Sequence, residues 1–257
     1  MSRYFIEVSY KGTNYAGFQI QKNAATIQSQ VEKALATRLK QPFNLTGSSR
    51  TDSGVHALQN YFHFDVADDM VSVNENLNEE VSVKEIIYSL NSILAADIVV
   101  KKISKVDDDA HCRFDAVSRE YKYFIYCKKN PFYKEVAHYY PYKIDIDKLH
   151  SAASIILNTK DFTSFSKKNT QVNNFICTLS TSKWINENDF LIFNVTGNRF
   201  LRGMVKGLVG TMLKVGVGKI SLDQFAEVIK NNNNTSADFS VPAQGLFLVR
   251  VKYSFKL

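Results

Sequence analysis

A chain of 257 residues can form one large domain or two small ones, each burying a core of its own, and 45% apolar with 22% charged residues is an ordinary globular composition. No run reaches the length of a membrane span and the opening Met-Ser-Arg-Tyr-Phe-Ile-Glu lacks a signal-peptide profile, so a cytoplasmic protein is expected. The net charge of +7 is compatible with an anionic partner and equally with a solvated basic surface, while Cys112, Cys127 and Cys177, scattered and odd in number, support neither disulfides nor a zinc site.

Residues 3–10 alternate, with Tyr4, Ile6, Val8 and Tyr10 on one face of a strand and Glu7 and Ser9 on the other. A loop with two glycines and two aromatics follows (11–19). Thr26 reads as an N-cap for Ile27, Val31, Ala34, Leu35 and Leu39 at helical spacing, a helix that ends near Lys40, ahead of Pro42. A short strand at 43–47 and a longer one at 58–66 flank the loop around Asp52. Acidic, Asn-rich residues 67–80 read as an exposed connection. Ser82 with Glu85 forms a capping box before a helix that carries Val83, Ile86, Ile87, Leu90 and Leu94, and Ile98–Ile103 returns as a strand.

A similar order then begins again. Residues 119–127 read as a strand with Tyr121, Tyr123 and Ile125 on one face. A helix from about Asp147 to Leu157 buries Leu149, Ala153, Ile156 and Leu157, and strands follow near 173–186 and 189–197. Residues 200–215 read as helical despite Gly203, Gly207 and Gly210. Glycine costs about 1 kcal/mol relative to alanine in a helix, so close backbone packing is expected on that face. Ser221 with Gln224 caps a last helix that stops at Asn231–Asn234, and Leu246–Tyr253 closes the chain as a strand. The pattern predicts an α+β fold: two ferredoxin/RRM-like βαββ halves, residues 1–105 and 106–257, whose antiparallel sheets join into one curved sheet with helices on one side.

The stretch richest in chemistry is Gly47-Ser-Ser-Arg-Thr-Asp-Ser-Gly-Val-His-Ala57, in which Arg50 and Asp52 stand two residues apart among small, turn-forming residues. By themselves these residues also read as a turn closed by a local ion pair. Asp52-Ser-Gly54 has the form of an aspartic-protease motif, but that chemistry needs two carboxylates sharing a proton, and a neighbouring Arg opposes the sharing. Gly216-Val-Gly-Lys219 lacks the first glycine and the Ser or Thr of a phosphate loop. Ser49, Asp52 and His56 lie on one loop without a nucleophile elbow, which a hydrolase triad does not do.

Six ordered stretches together resemble the tRNA pseudouridine synthase A (TruA-like) family. They are Tyr10-Lys-Gly-Thr-Asn-Tyr-Ala-Gly-Phe-Gln19, Gly47 to Ala57, His111-Cys-Arg-Phe-Asp-Ala116 with Arg119-x-Tyr121-x-Tyr123, Asp161-Phe-Thr-Ser-Phe165, the block Asn198 to Gly210, and Gly245-Leu246-x-Leu248. This chain departs from the family pattern at Lys11, Phe18, Ser49 and Ser53, and at Lys206, where the family has Arg.

The resemblance implies an isomerase that converts uridine to pseudouridine in the tRNA anticodon stem-loop, at tRNA positions 38–40, as a homodimer and without a metal or redox cofactor. It makes Asp52 the catalytic acid, acting at ribose C1′ or C2′, and Lys206 the cation beside it, in place of a guanidinium that could grip a carboxylate bidentately. Arg50 enters the space left by the flipped base or holds its phosphate. Tyr121 stacks on the flipped base and Leu246 forms an apolar wall, while Arg113, Arg119 and Arg202, together with Lys167, Lys168 and Arg199, are candidates for the phosphate path. An RNA-binding protein on the same scaffold with little catalysis, and a hydrolase built on the same acid, are the rival readings.

Overall fold

The computed structural model describes residues 1–66, 80–168 and 172–257, so all but the end of the expected 67–80 connection lies outside the described residues. The chain forms two compact units, one of Met1–Val117 with Arg250–Leu257, the other of Ser118–Val249.

In the first unit the order is β1 (Ser2–Tyr10), α1 (Ile27–Leu39), β2 (Thr46–Gly47), β3 (His56–Val66), α2 (Glu80–Ile93) and β4 (Ile98–Val106). Strand β1 lies between β4 and β3 and is antiparallel to both, its register on β3 running from Ser2 opposite Val66 to Tyr10 opposite Ala57. The expected face of Tyr4, Ile6, Val8 and Tyr10 is buried, and Phe5 on the other face is buried as well, against Tyr61, His63, Tyr253 and Phe255. Helix α1 starts as expected. Thr26 accepts from the Ser29 amide and Ser29 bonds back, a capping box that satisfies two orphan amides. Ile27, Val31, Ala34 and Leu35 are its buried stripe, and it packs beside α2, which lies on β4. Helix α2 already includes Glu80 and Val81, so Ser82 stands inside the first turn and does not cap it. The short strand expected at 43–47 is reduced to its last two residues.

The second unit carries β5 (Ala116–Tyr126) beyond its first two residues, β6 (His138–Tyr139), α3 (Ile146–Asn158), β7 (Leu179–Glu187), β8 (Phe190–Gly197), α4 (Met204–Gly216), α5 (Leu222–Lys230) and the first four residues of β9 (Leu246–Tyr253). Strand β8 lies between β5 and β7, antiparallel to both, and β6 runs parallel along β5. Helix α3 packs on β7, α4 and α5. Its buried stripe is Leu149, Ala152, Ala153 and Ile156, whereas Leu157 is 37% exposed, because the stripe turns away from it one step after Ile156. The strand expected from 173 begins only at Leu179; ahead of it only Ile176 bridges, to Asp161.

Helix α4 starts at Met204 and not at 200, since Gly203 takes φ +73°, a left-handed conformation outside the helix. The other two glycines are helical, and both mark close approaches. A Cβ on Gly207 would lie 2.8 Å from the Phe239 ring, and one on Gly210 would lie 2.2 Å from the Asp238 carbonyl oxygen. The Asp238 segment is held there by its amide, which donates to Thr211 Oγ1 at 2.9 Å, and by an ion pair to Lys214 Nζ at 3.1 Å. The capping box of Ser221 and Gln224 on α5 and the bounds of β9 are as expected.

Candidate active site

The Asp52 loop joins β2 to β3 within the first unit. The Val55 amide donates to the Asp52 carbonyl at 3.1 Å, and Gly54 takes φ +76°, so the chain reverses tightly just after the acid. Exposure alternates through the loop. Ser49 and Thr51 are buried, Arg50 is exposed and Asp52 is half-buried. Of residues 49–52, Arg50 and Asp52 are therefore the two that solvent reaches.

Two devices hold this loop. The first is polar and buried. Tyr10 Oη lies 2.8 Å from Thr51 Oγ1, and Asn60 Nδ2 donates to Tyr10 Oη at 3.1 Å and to the Ser49 carbonyl at 2.9 Å. Asn60 Oδ1 accepts from the Tyr61 amide at 2.9 Å, so an amide with no exposed surface is satisfied at both ends. Since Asn60 donates to Tyr10, the Tyr10 hydroxyl hydrogen is available to Thr51, and the chain of bonds runs from β3 through β1 to the residue before Asp52.

The second device is the 11–19 loop, laid directly on the first. Phe18 N donates to the Thr51 carbonyl at 3.1 Å, Ser53 Oγ to the Tyr15 carbonyl at 3.1 Å, and Gly12 N to His56 Nδ1 at 3.0 Å. A Cβ on Gly12 would come 2.0 Å from the Val55 carbonyl oxygen, and one on Gly17, at φ +102°, 3.1 Å from that of Thr51. No side chain fits between the two loops, which is why glycine stands at both positions. Because His56 Nδ1 accepts a hydrogen bond, a neutral His56 carries its proton on Nε2.

Beside the loop, Arg50 and Arg113 line one pocket of ≈ 250 Å³, together with Phe18, Leu45, His111 and Phe114. Arg113 and Phe114 are presented by a turn closed on itself. The His111 amide donates to Asp115 Oδ2 at 2.7 Å, and His111 Nδ1 accepts from the amides of Arg113 (3.1 Å) and Phe114 (3.3 Å). The His111 ring lies between His63 and Phe114, with centroids at 4.6 and 4.2 Å. Burial lowers the pKa of both histidines, that of His63 to about 4, with the Arg3 charge adding to the effect. Neutral rings suit their bonding, since His63 Nδ1 also accepts, from the Cys112 amide at 3.2 Å.

The remaining expected site residues belong to the second unit. Tyr121 on β5 is half-buried and meets Phe200 edge to face at 4.9 Å. Arg119, two residues earlier, donates to the Asn198 carbonyl at 2.9 Å, so both are tied to the turn that follows β8. Arg202 is exposed in the same turn, and its carbonyl accepts from the Lys167 amide at 3.0 Å. Lys206 is half-buried in the first turn of α4, and Leu246 is buried at the start of β9. Asn60, Phe114 and the Tyr10 hydroxyl were not singled out from the sequence as site residues. Asn60 stands beside Gln59, a second amide, and only the fold, which buries Asn60 fully and leaves Gln59 half-buried, tells the two apart. Among the described residues no group of three or more His, Cys, Asp or Glu is placed to hold a metal ion, and no helix is long and apolar enough to cross a membrane.

A family model described as tRNA pseudouridine synthase matches residues 6–115 and 152–254. The chain is similar to proteins named tRNA pseudouridine synthase A. It is 40% identical to that of Parabacteroides distasonis over 257 residues, covering 100% of this chain and 98% of the relative. It is 41% identical to that of Bacteroides fragilis over 254 residues, 98% and 97% of the two chains. The Staphylococcus aureus (strain bovine RF122) protein is 37% identical over 251 residues, 97% and 90% of the two.

Proposed function

Because the chain belongs to the tRNA pseudouridine synthase A family and is an isomerase of that family, we propose that it converts uridine to pseudouridine in the tRNA anticodon stem-loop, at tRNA positions 38–40. The observation that carries the assignment of the acid is the doubly held loop, which fixes the backbone on both sides of Asp52 and leaves the carboxylate half-exposed next to Arg50. Pre-set geometry of this kind is what a reaction at one sugar carbon needs.

In this reading the target uridine leaves the helical stack, since its sugar and base cannot be reached inside it. Asp52 acts at ribose C1′ or C2′ while the C1′–N1 bond breaks. The uracil turns and a C1′–C5 bond forms. The hydrogen on C5 leaves as a proton and N1 gains one, so the product is an isomer of the substrate. Tyr121 stacks on the flipped base and Leu246 walls its pocket. Lys206 supplies the positive charge that supports the Asp52 carboxylate, and Arg50 fills the space the base vacates or holds its phosphate. Arg113, Arg119 and Arg202 contact phosphates, which positions the RNA without reading its sequence and makes binding weaken with salt. Residues 1–105 thereby contribute the acid loop and 106–257 the base-holding groups. We assign the work to the cytoplasm and to a homodimer on one tRNA; a sedimentation mass at one chain per particle, with and without tRNA, would remove the dimer.

The test is release of tritium from tRNA labelled at uracil C5, wild type beside Asp52→Asn. Release by the wild type alone, with tRNA bound equally by both proteins, is the expected result. Release by Asp52→Asn at the wild-type rate would overturn the role of Asp52, and tRNA binding without release by either would leave an RNA-binding protein.

A further inference from the structure

The proposed reaction draws on Arg50 and Arg113 but assigns no occupant to the pocket they line. Phe114, 73% exposed, offers an aromatic face backed by the His111 ring at 4.2 Å. Arg50 and Arg113 supply two positive charges, with the Arg113 guanidinium 5.6 Å from the Phe114 centroid. The floor is Phe18, stacked on Phe62 at 4.4 Å and so fixed from below. Gln28 is a wall and not a reader, because its side chain is already bonded to Ile20, Glu32 and Leu45, which leaves Gln19 and Thr46, both exposed, as the polar rim.

An aromatic face beside two arginines is the composition of a single-nucleotide site, the ring taking a base and the guanidinium groups its phosphate. A volume of ≈ 250 Å³ falls just below the usual range of small-molecule sites, enough for one base or one phosphate and too small for a run of nucleotides. Its place matters too. Arg50 lines it and Asp52 follows two residues later, a backbone span of at most about 7 Å, the scale of one nucleotide step.

We infer that this site holds the nucleotide adjoining the target uridine, its base stacked on the exposed ring of Phe114 and its phosphate in the pocket between Arg50 and Arg113. The inference rests on the proposed function for the identity of the RNA and the target. With Arg50 on a phosphate and not in the vacated space, flipping one base leaves its neighbour with an unstacked face, and Phe114 replaces the lost contact. The site therefore contributes to holding the flipped state, and it tolerates any base, since every base has a stacking face.

The test is a binding cycle on full-length tRNA. Phe114→Ala is expected to weaken tRNA binding on the order of 10-fold, the scale of one base–aromatic stack. Phe114→Trp restores it. Wild type bound to tRNA made abasic at the nucleotide on one side of the target loses the same factor, while Phe114→Ala loses nothing further on that tRNA. Losses that multiply for abasic sites on both sides, or Phe114→Ala binding as wild type does, would overturn the assignment. Tritium release by wild type from unaltered tRNA is read separately. Its absence with the cycle intact would reject the proposed reaction and leave the pocket's role standing.

Discussion

The hydroxyl of Tyr10 lies 2.8 Å from Thr51 Oγ1, which joins the end of the first strand to the residue before the candidate acid. Tyr10→Phe removes that oxygen and keeps the ring, including its contact with Phe18 at 5.9 Å. It strips Thr51 and Asn60 of a buried partner each, so stability is expected to fall by about 1–2 kcal/mol in chemical denaturation. Single-turnover rate is expected to fall further, roughly 10-fold, because a small displacement of the acid is costly to a positioned reaction. Reduced stability with an unchanged rate would show that the bond serves the fold and not the acid.

Gly12 tests the second support. A Cβ there overlaps the Val55 carbonyl, backbone that cannot rotate out of the way, so Gly12→Ala must separate the two loops. The expected cost is about 1–3 kcal/mol, typical of overpacking, and the turnover lost should exceed what the lowered melting temperature explains. Gly17→Ala adds strain from its left-handed backbone at φ +102°. Wild-type activity in either variant would mean that the loops are not coupled.

His63 sets a pH dependence. Burial holds its pKa at about 4 against an ordinary 6.5, with Arg3 and His111 lowering it and Asp65 and Asp115 opposing them. Between these values the unfolded chain binds a proton that the folded chain does not. The His63 contribution is therefore present in full above pH 6.5, is lost as pH falls towards 4, and changes no further below that. The loss is on the order of 2–3 kcal/mol. Burial likewise lowers His138 to about 4, so wild type and His63→Gln must be compared, and denaturation of the variant should be the less pH-dependent across this range. Equal slopes would assign the trend to other groups.

Most of this architecture was readable where local rules act alone. The Thr26 and Ser221 caps, the period of α1 and the bounds of β9 depend on a few neighbouring residues, and they appear in the structure as expected. The misplacements came where partners distant in sequence decide. Gly203, where a Cβ would lie 2.9 Å from the Lys167 side chain, breaks the helical reading of 200–203 by its positive φ, and Leu157 is exposed because the face of α3 that packs on β7, α4 and α5 ends at Ile156. The site divides the same way. Arg50 and Asp52 are conspicuous in a small-residue loop, but Asn60 acts through residues 50 and 11 positions away, and nothing beside it in sequence announces that. Phe114 reads as one phenylalanine among eighteen until the fold sets it against Arg113 and the Arg50 pocket.

Lys206 is the departure from the family pattern with the most chemical weight, and its surroundings make it testable. It stands half-buried between buried Val205 and Gly207 at the start of α4, so its charge is neither fully solvated nor enclosed. If that charge supports the Asp52 carboxylate, Lys206→Met removes an electrostatic contribution made at the reacting centre and lowers turnover on the order of 100-fold. Lys206→Arg keeps the charge and adds the planar fork, so it is expected to match or exceed wild type. Tritium release measured beside tRNA binding separates the two roles a cation could have. Loss of a phosphate contact would weaken binding and make it less salt-dependent while leaving the bound complex competent, whereas loss of support for the acid lowers the rate at saturating tRNA. Full activity in Lys206→Met would reduce the residue to a lysine on the helix surface and leave Arg199 and Arg202, in the turn between β8 and α4, as the next cations to test.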